Sequence, residues 1–320
     1  MELYLATDSG RLQQAMACTA QLAHMSYRIG SDGTLLASPL PDTLRGGLLM
    51  LSDEGGTYPD APEGLCRQLV QECLRRRYAG VVLDAMPPEG FCRTLDELLA
   101  RQERQLYLPE AAAGYAPHGT ALLCTALASG SLEDRLAAAA EKWGPERLAL
   151  DLQRMMLDYP LSAGGEAAAL TPPRLHALAE GRATYFSRPL CARYFTYRTD
   201  GGSRFVLFDD VQTLRMKMDM AEKLGIRQGF FMLPEVEDLA QSLLVPSAPL
   251  HAKSSIGPRC CRAMRRKSHG FLNKGRLSAG RINSTISRLT GFFSHVMCIW
   301  HVKTACRLCR LQAANSVRAF

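Results

Sequence analysis

The chain has no apolar run of the roughly 18 residues that a membrane-spanning helix needs, so a helical span is excluded at the outset. Its first stretch, Met1 to Leu12, has no basic segment followed by an apolar one. It does not read as a secretion signal, and the expected location is cytoplasmic. No G-x-G-x-x-G follows the first apolar segment, which argues against a dinucleotide-binding fold. There is no H-E-x-x-H, and His24, His118 and His176 stand alone, so no metal centre and no cofactor are expected. The most informative absence is local. From Val245 to the end there is no Asp or Glu at all, while 14 of the 38 Lys and Arg residues lie there. The remaining 24 basic residues face 31 acidic ones, so the body before it has a net charge of −7 although the whole chain is at +7. No nucleic-acid partner is therefore expected for the body.

The cysteines divide at the same place. Cys18, Cys66, Cys73, Cys92, Cys124 and Cys191 are scattered through apolar or helical contexts, as cytosolic thiols are, and not in a disulfide framework. In the tail, Cys306-x-x-Cys309 stands with Cys260-Cys261 and His301. The adjacent pair lacks the spacing of a zinc knuckle, so no zinc site is expected there. Residues 246–320 admit three readings: a phosphate-seeking basic arm, a membrane-proximal segment around Ile286 to Val302, or the product of a shifted reading frame. A sudden loss of every carboxylate with a gain of Cys, Arg and Ser favours the last. The tail is expected to be disordered.

In the body, short apolar runs alternate with amphipathic stretches. Strand candidates are Leu3–Ala6, His24–Ile29, Gly47–Leu51, Gly80–Asp84, Leu106–Leu108, Ala121–Cys124, a segment within Leu148–Leu157, and Gly229–Leu233. Helical spacing marks Gly10–Leu22, Gly64–Arg77, Thr94–Gln102, Leu132–Trp143, Pro172–Glu180, Asp210–Leu224 and Glu235–Leu244. Thr199-Asp200-Gly201-Gly202 between two apolar strands reads as a hairpin. A length of 320 holds two average domains, or one barrel of roughly 250 residues with an extension. About eight strands alternating with helices favour an α/β fold of the (β/α)8 TIM type over residues 1–245, with a small hairpin insertion before the last strand. A doubly wound open sheet is the alternative.

A barrel carries its reactive groups at the C-terminal ends of its strands. Those positions hold Asp53 and Glu54, then Asp84, Met86 and Glu89, then Asp158 and Tyr159, then Glu235 and Glu237. Recurrent carboxylates suit a sugar or polyol ligand. They also suit helix caps, because each such loop begins a helix.

The segment Phe205-Val206-Leu207-Phe208-Asp209-Asp210-Val211-Gln212-Thr213, running through Lys217 and Gly225 to Gly229-Phe230-Phe231-Met232, resembles the closing segment of the family 18 glycoside hydrolases, the chitinase-like barrels. His24 to Leu35 is similar to that family's second strand, and Tyr78 to Met86 occupies the place of its fourth. The resemblance implies a barrel acting on N-acetylglucosamine-containing glycans. It also implies a lesion. Placed on the family's D-x-x-D-x-D-x-E, Asp84 falls on the last Asp, Val82 on the one before, and Met86 on the catalytic Glu. A thioether cannot protonate a leaving oxygen. Met232 falls where the family has an aromatic floor, and Leu157-Asp158-Tyr159 where it has Tyr-Asp-Tyr. The resemblance thus implies a degenerate, carbohydrate-binding barrel. Two alternatives are an active glycosidase with its acid relocated to Glu89, and a structural barrel with no ligand. Asp53, Glu54, Asp158, Tyr159, Met232 and Glu235 are the expected ligand-contacting residues.

Overall fold

The computed structural model describes residues 1–18, 20–54, 56–161 and 167–244. The expectations for the tail, including its cysteines, lie outside the described residues. The chain runs β1 (Glu2–Thr7), α1 (Leu12–Met16), β2 (Gln21–Ile29), β3 (Leu35–Ala37), β4 (Leu48–Ser52), α2 (Glu63–Arg76), β5 (Gly80–Leu83), α3 (Glu89–Ala100), β6 (Gln105–Pro109) and β7 (Thr120–Cys124). It continues with α4 (Leu132–Trp143), β8 (Leu148–Asp151), β9 (Met156–Pro160), β10 (Ala168–Ala169), α5 (Pro172–Ala179), β11 (Tyr185–Ser187), β12 (Ala192–Thr199) and β13 (Gly202–Phe208). It ends with α6 (Val211–Lys223), β14 (Gln228–Met232), α7 (Leu233–Val236) and α8 (Ala240–Leu244).

Eight of these strands pair in parallel in the order β1-β2-β4-β5-β6-β7-β8-β14, and β14 returns to β1. This is a closed (β/α)8 barrel, as the alternation of apolar and amphipathic segments predicts. No helix among the described residues is long and apolar enough to cross a membrane. Strands buried on both faces read as continuous apolar runs, because one face meets the barrel interior and the other the helices. Tyr4, Tyr107 and Phe230 fill the interior. Tyr4 stacks on Phe230 at 4.8 Å and Tyr107 meets the same ring edge-on at 5.1 Å. Outside the barrel, α2 and α3 cover β4 and β5 through Leu65, Leu69, Phe91 and Leu95, all sealed from solvent.

Two expectations change. Gly10–Leu22 is not one helix: α1 is five residues long, and the chain re-enters the barrel at Gln21. The segment within Leu148–Leu157 is not one strand but two. The barrel strand β8 ends at Asp151, and β9 begins a separate antiparallel sheet in the order β10-β9-β13-β12-β11. The hairpin insertion is therefore five-stranded. One of its faces packs Phe195, Val206 and Phe208 against Leu175 and Leu178 of α5.

The chain returns to the barrel through α6. Asp210 and Thr213 cap it reciprocally: the Thr213 N–H donates to Asp210 Oδ1 at 2.8 Å and the Asp210 N–H to Thr213 Oγ1 at 3.0 Å. Gly225 ends it with φ +87°, a left-handed conformation that glycine takes without a Cβ clash.

Candidate functional site

Successive side chains of a strand point to opposite faces, so residues two apart share one. Val82, Leu122, Ala149 and Phe230 face the barrel interior. Two residues further on, at the C-terminal mouth, the same faces carry Asp84, Cys124, Asp151 and Met232. The mouth floor follows from this register: an aromatic plug beneath, and two carboxylates, a thiol and a thioether above it.

Further acids arrive from the loops. Asp84 and the loop after β4 emerge side by side, since the Asp84 N–H donates to Leu51 O at 3.0 Å. That loop carries Asp53 and Glu54, and the Glu54 N–H is held by Ser52 Oγ at 3.1 Å. Its path runs hard against β2: a Cβ at Gly56 would lie 2.3 Å from Ile29 O, so only glycine fits. Glu235 lies in the first turn of α7, which starts directly after β14. Its Oε2 accepts the Arg154 backbone N–H at 3.1 Å, and the buried Arg154 guanidinium donates to Glu235 O at 3.0 Å and to Asp238.

The electrostatic result centres on Asp84. Burial pushes its carboxyl up to about 8, and the fields of Asp151, Asp53, Glu235 and Glu54 push the same way. Asp53 is also raised, first by burial and then by Glu54 beside it. Cys124 is pushed up to about 12 by burial and by Asp151, so it is a neutral thiol and not a nucleophile at neutral pH. At pH 7 Asp84 holds its proton amid acidic neighbours. No group of three or more His, Cys, Asp or Glu side chains among the described residues has the geometry to hold a metal ion.

The expected residues divide clearly. Asp53, Glu54 and Glu235 act on Asp84 at the mouth. Met232 is there too, half-buried against the interior cluster. Met86 lies in the loop between β5 and α3 and is 46% exposed. Glu89 is the first residue of α3, where it favours the helix N-terminus; its exposed carboxylate pairs with Arg93 one turn along.

Asp158 and Tyr159 correct the reading that put them at the end of a barrel strand. They sit within β9 of the second sheet. Asp158 accepts from Arg204 Nε at 2.9 Å and from Tyr197 Oη at 2.6 Å, a buried clamp across that sheet. The Tyr159 ring lies 6.3 Å from Phe205.

Asp151 was not among the expected residues, yet it is the first charged group acting on Asp84. A signal for it exists in the sequence. Leu148-Ala149-Leu150-Asp151 has the same form as Val81-Val82-Leu83-Asp84, an apolar run closed by Asp.

With this geometry in hand, the fold can be placed. The chain superimposes on solved structures of chitinases and of a spore cortex-lytic enzyme. The chitinase of Chromobacterium violaceum ATCC 12472 matches with a TM-score of 0.60 and 15% identity over 76% of this chain and 98% of that one. The spore cortex-lytic enzyme SleL of Bacillus megaterium QM B1551 matches with a TM-score of 0.56 and 15% identity over 76% of this chain and 74% of that one. Chitinase ChiW of Paenibacillus sp. str. FPU-7 matches at 0.54 and 12% over 76% of this chain and 32% of that one. At such identities the likeness is one of fold. No protein-family model and no curated protein sequence matches the chain.

Proposed function

We propose that the chain is a carbohydrate-binding barrel of the family 18 glycoside hydrolase type whose hydrolytic machinery is degenerate. The observation that carries this reading is the mouth itself. Asp84 stands at the end of the fourth barrel strand, ringed by Asp53, Glu54, Asp151 and Glu235. On the resemblance of Tyr78 to Met86 to that family's fourth strand, Met86 takes the place of its acid. Converging carboxyl groups offer many hydrogen-bond acceptors, and a protonated Asp84 adds a donor, which suits the hydroxyl and amide groups of a glycan. The fold likeness to a chitinase and to a cortex-lytic enzyme supports N-acetylglucosamine-containing glycans as the ligand class.

One observation favours a second reading, an active glycosidase. A carboxyl that keeps its proton at neutral pH is equipped to protonate a leaving oxygen. The relocated acid is then Asp84 itself and not Glu89, whose carboxylate is taken up by Arg93 in solvent.

Calorimetric titration with chito-oligosaccharides tests the first reading. Binding is expected, and Asp151→Ala is expected to weaken it at least about tenfold, the loss of one charge-assisted contact of ~1.4 kcal/mol or more. Absence of binding at millimolar ligand, with the protein folded, leaves only the barrel without a ligand.

A further inference from the structure

β2 does not run regularly beside β4. His24 pairs in register with Leu49 and Tyr27 with Leu51, so three steps on β2 answer two on β4. This is a β-bulge at Met25 and Ser26, an extra residue that turns the alternation of side chains over. Before it, Ala23 faces the barrel interior and His24 faces outward, its ring 5.3 Å from that of Tyr78 in the outer core. After it, Tyr27 and Ile29 enter the same outer core. Arg28, between them, therefore lies on the interior face. In a regular strand it would share the outward face of His24 and point at the helices.

The register puts Arg28 at the mouth. It pairs with Ser52, the last residue of β4, which follows Leu48 and Met50 on the interior face. β5 continues the same level: Leu51 pairs with Leu83, and the Asp84 N–H donates to Leu51 O at 3.0 Å. Arg28, Ser52 and Asp84 thus stand on successive strands, and the backbones of Arg28 and Asp84 are two strand spacings apart, roughly 10 Å. The other arginines of this rim are committed. Arg11, after β1, pairs with Asp8 at 2.6 Å and reaches Glu237 at 3.8 Å. Arg154, after β8, is buried and donates to Glu235 O and Asp238. Arg28 is exposed and makes no hydrogen bond or ion pair with protein among the described residues.

A guanidinium presents a planar fork of donors that fits a carboxylate with two parallel hydrogen bonds. One such cation balances one negative charge. A doubly charged group such as phosphate would leave its second charge facing the acids of the rim. We propose that Arg28 makes the mouth selective for glycans that carry a carboxylate substituent: its guanidinium receives that carboxylate, and the acids along the rim take the hydroxyl and amide groups. The inference rests on the glycan-binding reading above and names the substrate class within it.

Calorimetric titration of the full chain compares two ligands. One is an N-acetylglucosamine oligosaccharide with an O-lactyl carboxylate on alternate sugars. The other is the same oligosaccharide with that carboxylate capped as its amide. The wild type is expected to prefer the acid by at least about tenfold, the size of one charge-assisted pair. In Arg28→Gln the preference is expected to fall below about threefold, with the amide bound as in the wild type. Arg28→Lys keeps the charge but loses the fork, and is expected to lie between. Equal affinity of the wild type for the two ligands overturns the proposal, and this comparison needs no variant to fold. A preference that survives Arg28→Gln overturns it too, as does an equal weakening of both ligands, which would make Arg28 a contact without selectivity. Binding of a plain chito-oligosaccharide but not of the acid overturns this inference alone. If the folded wild type binds none of the three, the glycan-binding reading falls and the inference with it.

Discussion

Lys217 Nζ donates to Asp209 Oδ2 at 2.8 Å, and neither side chain is exposed at all. The carboxylate is fully engaged: its second oxygen accepts from Thr213 Oγ1 at 2.9 Å, and Oδ2 also takes the Met155 N–H at 3.0 Å. These are residues of the segment on which the chitinase-like resemblance rests. In the fold they join the end of the second sheet to the barrel helix α6.

Breaking one half of a buried pair leaves the other charge without compensation, a cost of about 3–5 kcal/mol. Lys217→Met is therefore expected to lower the urea midpoint strongly, and Asp209→Asn also, since it removes the charge but keeps part of the hydrogen bonding. The double variant Asp209→Leu with Lys217→Met is expected to lose less than the two single losses added together. Additive losses would mean that the two side chains are not coupled.

The state of Asp84 makes stability depend on pH. Burial and the surrounding carboxylates raise its carboxyl from the ordinary value of 3.8 to about 8. Between those values the folded protein keeps a proton that the unfolded chain has lost. The contribution of this group is thus full below about pH 4 and is lost as pH rises through about 8. Asp84→Asn removes that dependence. Relative to the wild type, its melting temperature is expected to rise from pH 5 and to level off above about pH 8. A constant offset over that range would show that Asp84 ionises normally in the folded protein.

Activity separates the two functional readings. If the barrel is degenerate, the wild type shows no hydrolysis of chito-oligosaccharides above background. Measurable turnover would revive the enzyme, and the variants then assign its acid. Loss in Asp84→Asn with activity kept in Glu89→Gln is the expected pattern in that case, and the reverse would return the acid to Glu89.

A chain ending at Leu244 is expected to melt like the full-length protein. The barrel closes within residues 1–244, because β14 pairs with both β1 and β8. The 14 positive charges that follow have no acidic residue among them, and their attraction to the acidic body is screened over about 8 Å at physiological salt. Limited proteolysis of the full chain is expected to leave a stable fragment ending near Leu244. Aggregation of the shortened chain, or loss of its cooperative transition, would make the tail part of the fold.

The barrel was legible because its strands are buried on both faces and its helices on one, two patterns that differ in period. Asp84, Asp53, Glu54 and Glu235 were legible for a related reason: each lies within three residues of the end of a clear apolar run. Asp151 was hidden. Apolar residues resume directly after it at Leu152 and again at Met155, both fully buried, so β8 and β9 read as one segment and the Asp between them as its interior. The same merger put Asp158 at a barrel mouth, whereas its partners Arg204 and Tyr197 are distant in the chain and pair with it only through the second sheet.

The two hydrogen bonds between Met155 and Asp209 have a further meaning. The Asp209 N–H donates to Met155 O at 2.7 Å, and the Met155 N–H returns to the Asp209 carboxylate at 3.0 Å. These bonds hold the outgoing and returning crossings side by side. The excursion touches the barrel again where the Leu132 N–H donates to Pro189 O at 2.8 Å and where Cys191 enters the barrel-side core. Such an excursion can lengthen, shorten or be exchanged for another while the eight-strand cylinder and its mouth stay in place. The wall beside the mouth and the floor within it are thus separately adjustable parts of one molecule.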